Sequence, residues 1–253
     1  MSAGPRAGLY LFRPPYQACE PIDLDWRPDA LLPGAAIAWF MAPVARVWAE
    51  LDWLRDRPAS LPFFVVLPEP EDIAPLAPIL RAIPDLAPRG VLPVAGPGTE
   101  SALRTLLGAA PPSLPEAATG HLDRLGVVND HETYARVTTI FASAPHVSSI
   151  EQLARNLCQS RRSVGRFFRE RDLPVPSHWL QFARLLHVAV HLQNTTATIN
   201  RVSGRFGYPD GFTMSNSMKR LLGYRPSFVR EHLGWEWLIQ AWVEEEGLGS
   251  SDA

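Results

Sequence analysis

The sequence is poor in the features that mark secreted and membrane proteins. It has two cysteines in 253 residues, Cys19 and Cys158. They fall in different predicted domains, so we expect no disulfide framework, and a reducing compartment is favoured. No apolar run approaches the ~20 residues that a membrane span needs, and the first residues lack the charged-then-apolar pattern of a signal peptide. These absences predict a cytoplasmic protein without a membrane partner.

The spacings that are typical of metal and catalytic sites are also missing. The seven histidines include no H-E-x-x-H pair. His187 and His191 lie four residues apart in one predicted helix, where packing is favoured over metal binding because a third ligand is lacking. The turn Gly96-Pro97-Gly98 is no phosphate-binding loop, because Pro97 removes an N–H donor and no Gly-Lys pair follows. We therefore predict no enzyme, no metal and no cofactor.

Positive charge is concentrated in one segment. The whole chain has a formal charge of −2, but residues 146–240 hold 13 Lys and Arg against 6 Asp and Glu. Residues 1–145 hold 11 against 16. A basic segment in an otherwise acidic chain is the electrostatic pattern of a DNA-binding domain.

Two similar patterns follow each other within this basic segment. They are Ser149–Glu170 (SIEQLARNLCQSRRSVGRFFRE) and Thr198–Arg220 (TINRVSGRFGYPDGFTMSNSMKR). Each predicts a short amphipathic helix, a three- or four-residue turn, and a second helix that begins after a polar N-cap, Ser160 or Asp210. In such a helix-turn-helix unit the first helix braces on phosphates while the second enters a major groove.

The second helix of each unit has an apolar stripe and a polar face. The stripes are Val164, Phe167 and Phe168 in the first unit, and Met214, Met218, Leu221 and Leu222 in the second. The opposite faces carry side chains that can bind bases or phosphates. The candidate DNA-binding residues are Arg161, Arg162, Ser163, Arg166, Arg169, Thr213, Asn216, Ser217, Lys219 and Arg220.

The segment between the two units predicts a rigid connector. Pro176–Gln193 (PSHWLQFARLLHVAVHLQ) is apolar almost all round. A helix with this pattern is buried. We expect it to lie between the two units and to hold both recognition helices at a fixed separation.

Residues 131–233 resemble the DNA-binding domain of the AraC/XylS transcription regulators. The most specific piece is Gly223–Glu231 (GYRPSFVRE), which keeps the glycine, proline and arginine of the family's closing motif. The sequence departs from the family at Cys158, where a turn glycine is usual, at Phe212, where a small polar residue is common, and at Asn216, where an arginine is common. The resemblance implies a regulator that binds double-stranded DNA. RNA polymerase and a second copy of the chain are further candidate partners.

Residues 1–110 alternate strand and helix patterns. The predicted strands are Gly8–Phe12, Gly34–Met41, Pro62–Leu67 and Gly90–Val94. The predicted helices are Ala45–Asp56, Ile73–Ile83 and Glu100–Leu107. This alternation predicts an α/β domain with a parallel sheet covered on both faces, as in a flavodoxin-like, receiver-type domain.

The ends of these strands lack the chemistry of a working receiver, which needs an aspartate that accepts phosphate and a lysine. The three predicted central strands run into Met41-Ala42-Pro43, Pro68-Glu69-Pro70 and Ala95-Gly96-Pro97. Asp23 and Asp25 precede the central strand and are expected to be surface loop residues. The sequence therefore predicts a pseudo-receiver that serves docking or dimerisation.

Four segments follow from these patterns. Residues 1–110 are the α/β domain, 111–130 a proline-rich linker, 131–233 the all-α double helix-turn-helix domain, and 234–253 a C-terminal helix and tail. In that last helix Trp235, Leu238 and Trp242 share a stripe, which predicts packing on a domain or on a second subunit.

The sequence as a whole predicts a sequence-specific, DNA-binding transcription regulator with a non-phosphorylatable docking or sensing domain. Two alternatives stay open. In one, the helix-turn-helix domain binds protein instead of DNA. In the other, the regulator responds to a small molecule, which an apolar pocket at the strand ends would favour.

Overall fold

The computed structural model of the protein describes residues 6–41, 46–69 and 76–248. The chain forms two compact units. The first consists of the residues up to Ala109 together with Glu231–Trp237, and the second consists of Ala110–Arg230 together with the residues from Leu238 onward. The fold class is confirmed, since the first unit is α/β and the second is built from helices.

A five-stranded mixed sheet forms the centre of the α/β unit. The strands are β1 (Gly8–Phe12), β2 (Cys19–Ile22), β3 (Ala36–Phe40), β4 (Phe63–Leu67) and β5 (Gly90–Val94), in the order β2-β1-β3-β4-β5. β3, β4 and β5 are parallel, as predicted. β1 runs antiparallel to both of its neighbours, so the prediction of a parallel, receiver-type sheet is wrong for this strand.

β1 and β2 form an antiparallel pair because the connection between them is short. β2 was not predicted as a strand. Only Arg13–Ala18 separates the two strands. A connection of this length allows an antiparallel pair, whereas a parallel pair needs a crossover of a dozen residues or more. Asp23 and Asp25 follow β2 and are exposed, as expected of loop residues.

Helices cover both faces of this sheet. The helices are α1 (Val47–Asp56), α2 (Ala77–Ala82) and α3 (Thr99–Gly108). α1 and α2 pack on the face that carries Trp39, and α3 packs on the face that carries Phe40. Every residue of β3 is buried, which explains its uninterrupted apolar sequence. The predicted helix starts at Ala45 and Ile73 lie outside the described residues.

The short segment Glu231–Trp237 packs against the α/β unit although it comes from the far end of the sequence. Leu233 joins the core beside α3, and its N–H donates to the buried hydroxyl of Tyr16 at 2.8 Å. Burial raises the pKa of that hydroxyl. Arg89 binds Glu236 at 2.5 Å, and both side chains are almost fully buried. The segment is therefore part of the hydrophobic core and the polar network of this unit.

The helical unit contains α4 (Leu114–Arg124), α5 (His131–Ser143), α6 (Ile150–Asn156), α7 (Arg161–Arg169), α8 (Pro176–Asn194), α9 (Ile199–Arg205), α10 (Gly211–Leu222), most of α11 (Pro226–Glu231) and most of α12 (Glu236–Glu245). The segment 111–130, predicted as a linker, folds into α4, which packs on α5. The Ser113 hydroxyl caps this helix, and Pro115 stands in its first turn, where proline is tolerated. No helix in the described part of the chain is both long and apolar enough to span a membrane.

The C-terminal helix packs within its own chain. Trp242 is fully buried and stacks on Phe182 of α8, with ring centroids 4.2 Å apart. Trp235, predicted on the same stripe, is buried in the α/β unit. The stripe is therefore covered, and it offers no exposed surface for a second subunit.

We predict that the Arg89–Glu236 pair makes a large contribution to the stability of the α/β unit. Glu236→Gln leaves the Arg89 guanidinium buried without its counter-charge, so the free energy of unfolding should fall by about 3–5 kcal/mol. Urea-induced unfolding followed by tryptophan fluorescence measures the change. The matched control is Glu20→Gln, which breaks the exposed Arg13–Glu20 pair and should cost less than about 1 kcal/mol. Equal losses in the two variants would contradict the prediction.

Candidate nucleic-acid interface

The first helix-turn-helix unit forms as its sequence predicts. α6 begins after Ser149 and α7 begins after Ser160, and each serine hydroxyl accepts a hydrogen bond from a backbone N–H in the first turn of its helix. The 3.1 Å bond from Ser163 N to the Ser160 hydroxyl fixes the start of α7. Phe167 and Phe168 are buried, so α7 turns its apolar stripe inward.

Two arginines of the helical unit hold α7 in place. The ring of Phe167 lies between the guanidinium groups of Arg136 and Arg171, at 3.8 and 3.7 Å from its centroid. Both guanidinium groups also bind Glu132 of α5. Because their charges are paired and their planes lie on an aromatic ring, these two arginines position the recognition helix.

The turn between α6 and α7 carries a strained residue. Cys158 has a φ of 53°, in the left-handed region that glycine adopts without steric cost. The following Gln159 N–H donates to the carbonyl of Ala154 at 2.8 Å, which closes the end of α6. The structure thus confirms that this turn holds a side chain in a conformation that favours glycine.

The second unit also has a capped recognition helix. Asp210 precedes α10 and accepts a hydrogen bond of 2.7 Å from the Thr213 N–H. Hydrogen bonds from Thr213 lower the pKa of the Asp210 carboxyl. At the start of α10, Gly211 lies so close to Asn200 of α9 that a Cβ there would stand 2.3 Å from the amide oxygen. Glycine therefore allows the two helices to meet.

The connector helix α8 is buried between the two helix-turn-helix units, as predicted. It packs against α6 and α7 of the first unit and α9 of the second. The side chains of Trp179, Phe182 and Leu186 on it are fully buried. At ~1.5 Å per residue, a helix of this length spans about 28 Å.

His187 and His191 both lie on this connector. His187 Nε2 is 2.8 Å from the carbonyl oxygen of Phe141, and burial lowers the pKa of the imidazole. A neutral ring that donates to this carbonyl fits the packing role predicted for His187. His191 lies edge-on to the ring of Phe206, with ring centroids 5.7 Å apart. Among the described residues no cluster of three ligating side chains is placed to hold a metal.

The four candidate arginines of the first unit, Arg161, Arg162, Arg166 and Arg169, all lie on the exposed face of α7. Arg161 binds Glu151 at 2.5 Å and Arg166 lies 3.7 Å from Glu170. Within the described residues, Arg162 and Arg169 form no side-chain hydrogen bond or ion pair. Ser163 is half-buried at the helix start.

The exposed face of α10 is rotated relative to the predicted one. Asn216, Lys219 and Arg220 are exposed, but Thr213 and Ser217 are half-buried. The Ser217 hydroxyl donates to the Thr213 carbonyl at 2.9 Å, so its donor is already used. Arg220 donates to Gln181 of α8 at 3.1 Å. The centre of the exposed face is Asn216.

Two residues on this surface were not among the predicted site residues. Phe212 is 76% exposed on the first turn of α10. Arg225 and Phe212 both line a groove of about 500 Å³ that also includes Asn200, Asn216, Lys219 and Ser227. The spacing of Phe212, Asn216 and Lys219 (i, i+4, i+7) is the signal that could have shown Phe212 on this face.

These elements define an all-α domain with two consecutive helix-turn-helix units, each of which presents a capped recognition helix. Residues 153–232 match the family model described as a helix-turn-helix domain. The match supports a DNA-binding domain of the AraC type at this end of the chain and a role in transcription regulation. A search of the curated proteins finds no match.

We predict that Cys158→Gly stabilises the helical unit by about 1 kcal/mol. Glycine removes the steric cost of the left-handed conformation, which exceeds what glycine loses through the flexibility of the unfolded chain. Thermal unfolding measures the gain. Cys158→Ala is the matched control, because it removes the thiol and keeps the Cβ, and it should give no increase. An equal increase in both variants would show that the thiol, and not the backbone conformation, is unfavourable.

Proposed function

We propose that the protein binds specific DNA sequences by placing α7 and α10 in major grooves. The observation that carries this proposal is the pair of recognition helices, each capped by an oxygen side chain and each with a buried apolar stripe. Their exposed faces offer arginine, lysine and neutral donors. Glu170 is the one acid on either helix or its C-cap. Side chains of these types bind phosphates and the edges of bases.

The charge of the surrounding segment supports the same function. Residues 146–240, which include both units, hold 13 basic against 6 acidic side chains. Arg161 and Arg166 are exposed, and their ion pairs with Glu151 and Glu170 lie in solvent. Exposed pairs of this kind are worth little, so a phosphate can replace the carboxylate at small cost. The alternative of a protein partner has no comparable support on these faces.

We further propose that the first unit contributes more to affinity than the second. On α7, Arg162 and Arg169 have no partner among the described residues and are free to meet phosphates. On α10, Ser217 donates to the backbone and Arg220 to Gln181. The second unit also has Asn216 where a cation would add a phosphate contact.

The α/β unit fits a docking or sensing role that does not use phosphorylation. The described residues at the carboxyl ends of β3, β4 and β5 include no aspartate and no lysine. A cleft of about 640 Å³ lies beside β1 and β2, and its lining mixes charged residues, such as Arg13, Glu20 and Asp25, with apolar ones, such as Ile22 and Trp26. This is not the apolar pocket at parallel strand ends that would favour a small-molecule sensor.

The first experiment tests DNA binding and the unequal contribution of the two units. The full chain should enrich a defined sequence from random duplexes. On that sequence, replacing Arg162 and Arg169 by alanine should flatten the log–log salt dependence by about 0.9 for each phosphate contact that is lost. Asn216→Ala with Ser217→Ala should change this slope much less. Mobility-shift titrations over a range of salt concentrations measure both.

Arg55→Ala serves as the control, because Arg55 is exposed on α1 of the α/β unit, away from both helix-turn-helix units in the sequence. It should leave the slope unchanged. Failure to enrich any sequence would contradict specific DNA binding. Equal slope changes from the two pairs of substitutions would contradict only the unequal contribution.

The second experiment tests the absence of phosphorylation. Acetyl phosphate or beryllofluoride should change neither the oligomeric state nor the DNA affinity, because no carboxylate at the described strand ends is placed like a phosphoacceptor. Analytical ultracentrifugation with and without beryllofluoride measures the oligomeric state. A dimer that forms only with beryllofluoride would overturn this assignment.

A further inference from the structure

Phe212 is the large apolar side chain on α10 that the fold does not bury. Met214, Met218, Leu221 and Leu222 of the same helix are all buried, whereas 76% of Phe212 is exposed. The ring therefore contributes little to the stability of the unit. Phe212 is the second residue of the helix, directly after Gly211. Residues near the N-terminus of a recognition helix are the ones that reach base edges in a major groove.

The surroundings of Phe212 indicate what covers it. The groove beside the ring is lined by the cations Lys219 and Arg225, by neutral polar side chains such as Asn216, and by the apolar Ile199 and Pro226. Among the residues that the structure describes, no carboxylate lines this groove. A surface with positive charge, neutral donors and a small apolar patch that includes an aromatic ring complements a polyanion that also presents an apolar group. An apolar protein surface would leave Lys219 and Arg225 without partners.

We propose that the Phe212 ring contacts the 5-methyl group of a thymine in the DNA that the second unit binds. Thymine is the standard base with an apolar group on its major-groove edge, and phenylalanine is one of the side chains that contact this methyl. This inference rests on the proposed DNA binding. It means that the second unit, which has Asn216 where an arginine is common, reads sequence by an apolar contact at Phe212.

The magnitude of the effect follows from the size of the methyl group. Removing one buried methyl or methylene group costs about 0.8 kcal/mol, which corresponds to about a fourfold loss in affinity. Replacing the contacted thymine by deoxyuridine removes this methyl and keeps the base-pairing groups. Wild-type protein should therefore bind about fourfold more weakly when deoxyuridine replaces one particular thymine.

The experiment uses the full chain and the sequence that it enriches from random duplexes. Each thymine is replaced in turn by deoxyuridine, and affinities are measured for wild type, Phe212→Ala and Phe212→Leu. We expect Phe212→Ala to lose the response at one thymine and to keep any response elsewhere. Phe212→Leu, which keeps an apolar side chain, should retain part of that response. The salt dependence should be the same for all three proteins, because no phosphate contact changes.

Several results would overturn the inference. One is a wild-type protein that tolerates deoxyuridine at every position, and another is a Phe212→Ala variant with the full wild-type response at each thymine. In both cases an enriched sequence still supports the proposed function. If no sequence is enriched, both proposals fail together. Because Phe212 is exposed, the variants should be as stable as wild type. Thermal unfolding checks this and separates the loss of a base contact from a loss of folding.

Discussion

Helix α8 must be enclosed on nearly all sides, because its apolar residues extend around most of its circumference. α5, α6, α7 and α9 each pack against it, and Trp242 of α12 stacks on its Phe182. Both helix-turn-helix units therefore contact one element, which itself has no room to move without opening the core. The recognition helices depend on this packing more than on their own short sequences, since isolated helices of nine or twelve residues are marginal in water.

The predictions succeeded where a local pattern determines local structure. The capped helices α7 and α10 begin where Ser160 and Asp210 predict, and the apolar runs Ala36–Phe40 and Phe63–Leu67 form strands. The direction of a strand could not be predicted in this way, because an apolar run has the same pattern beside a parallel and beside an antiparallel neighbour. The short connection after β1 makes its pairing with β2 antiparallel, but β2 itself, with Glu20 and Pro21, has no apolar pattern that would predict a strand.

The candidate site shows the same division between local and tertiary information. The arginines of α7 are exposed because they lie opposite three buried side chains, which periodicity predicts. On α10 the exposed face is centred on Asn216 and includes Phe212, whereas Thr213 and Ser217 are half-buried. Hydrophobicity alone would place a phenylalanine inside. The proline-rich segment that became α4 was missed for a related reason, since Pro115 at a helix start resembles a proline in a loop.

The path of the chain between residues 230 and 238 has a consequence for protein engineering. The sequence leaves the helical unit after Arg230, supplies Glu231–Trp237 to the α/β unit, and returns at Leu238. Neither unit is therefore a contiguous cassette. A chimera that transplants residues 110–253 onto another sensor would carry away Leu233 and Glu236, and would deprive the α/β unit of part of its core. Recombination that exchanges whole domains at one crossover point is unfavourable for this architecture, so the two units are expected to be inherited and redesigned together.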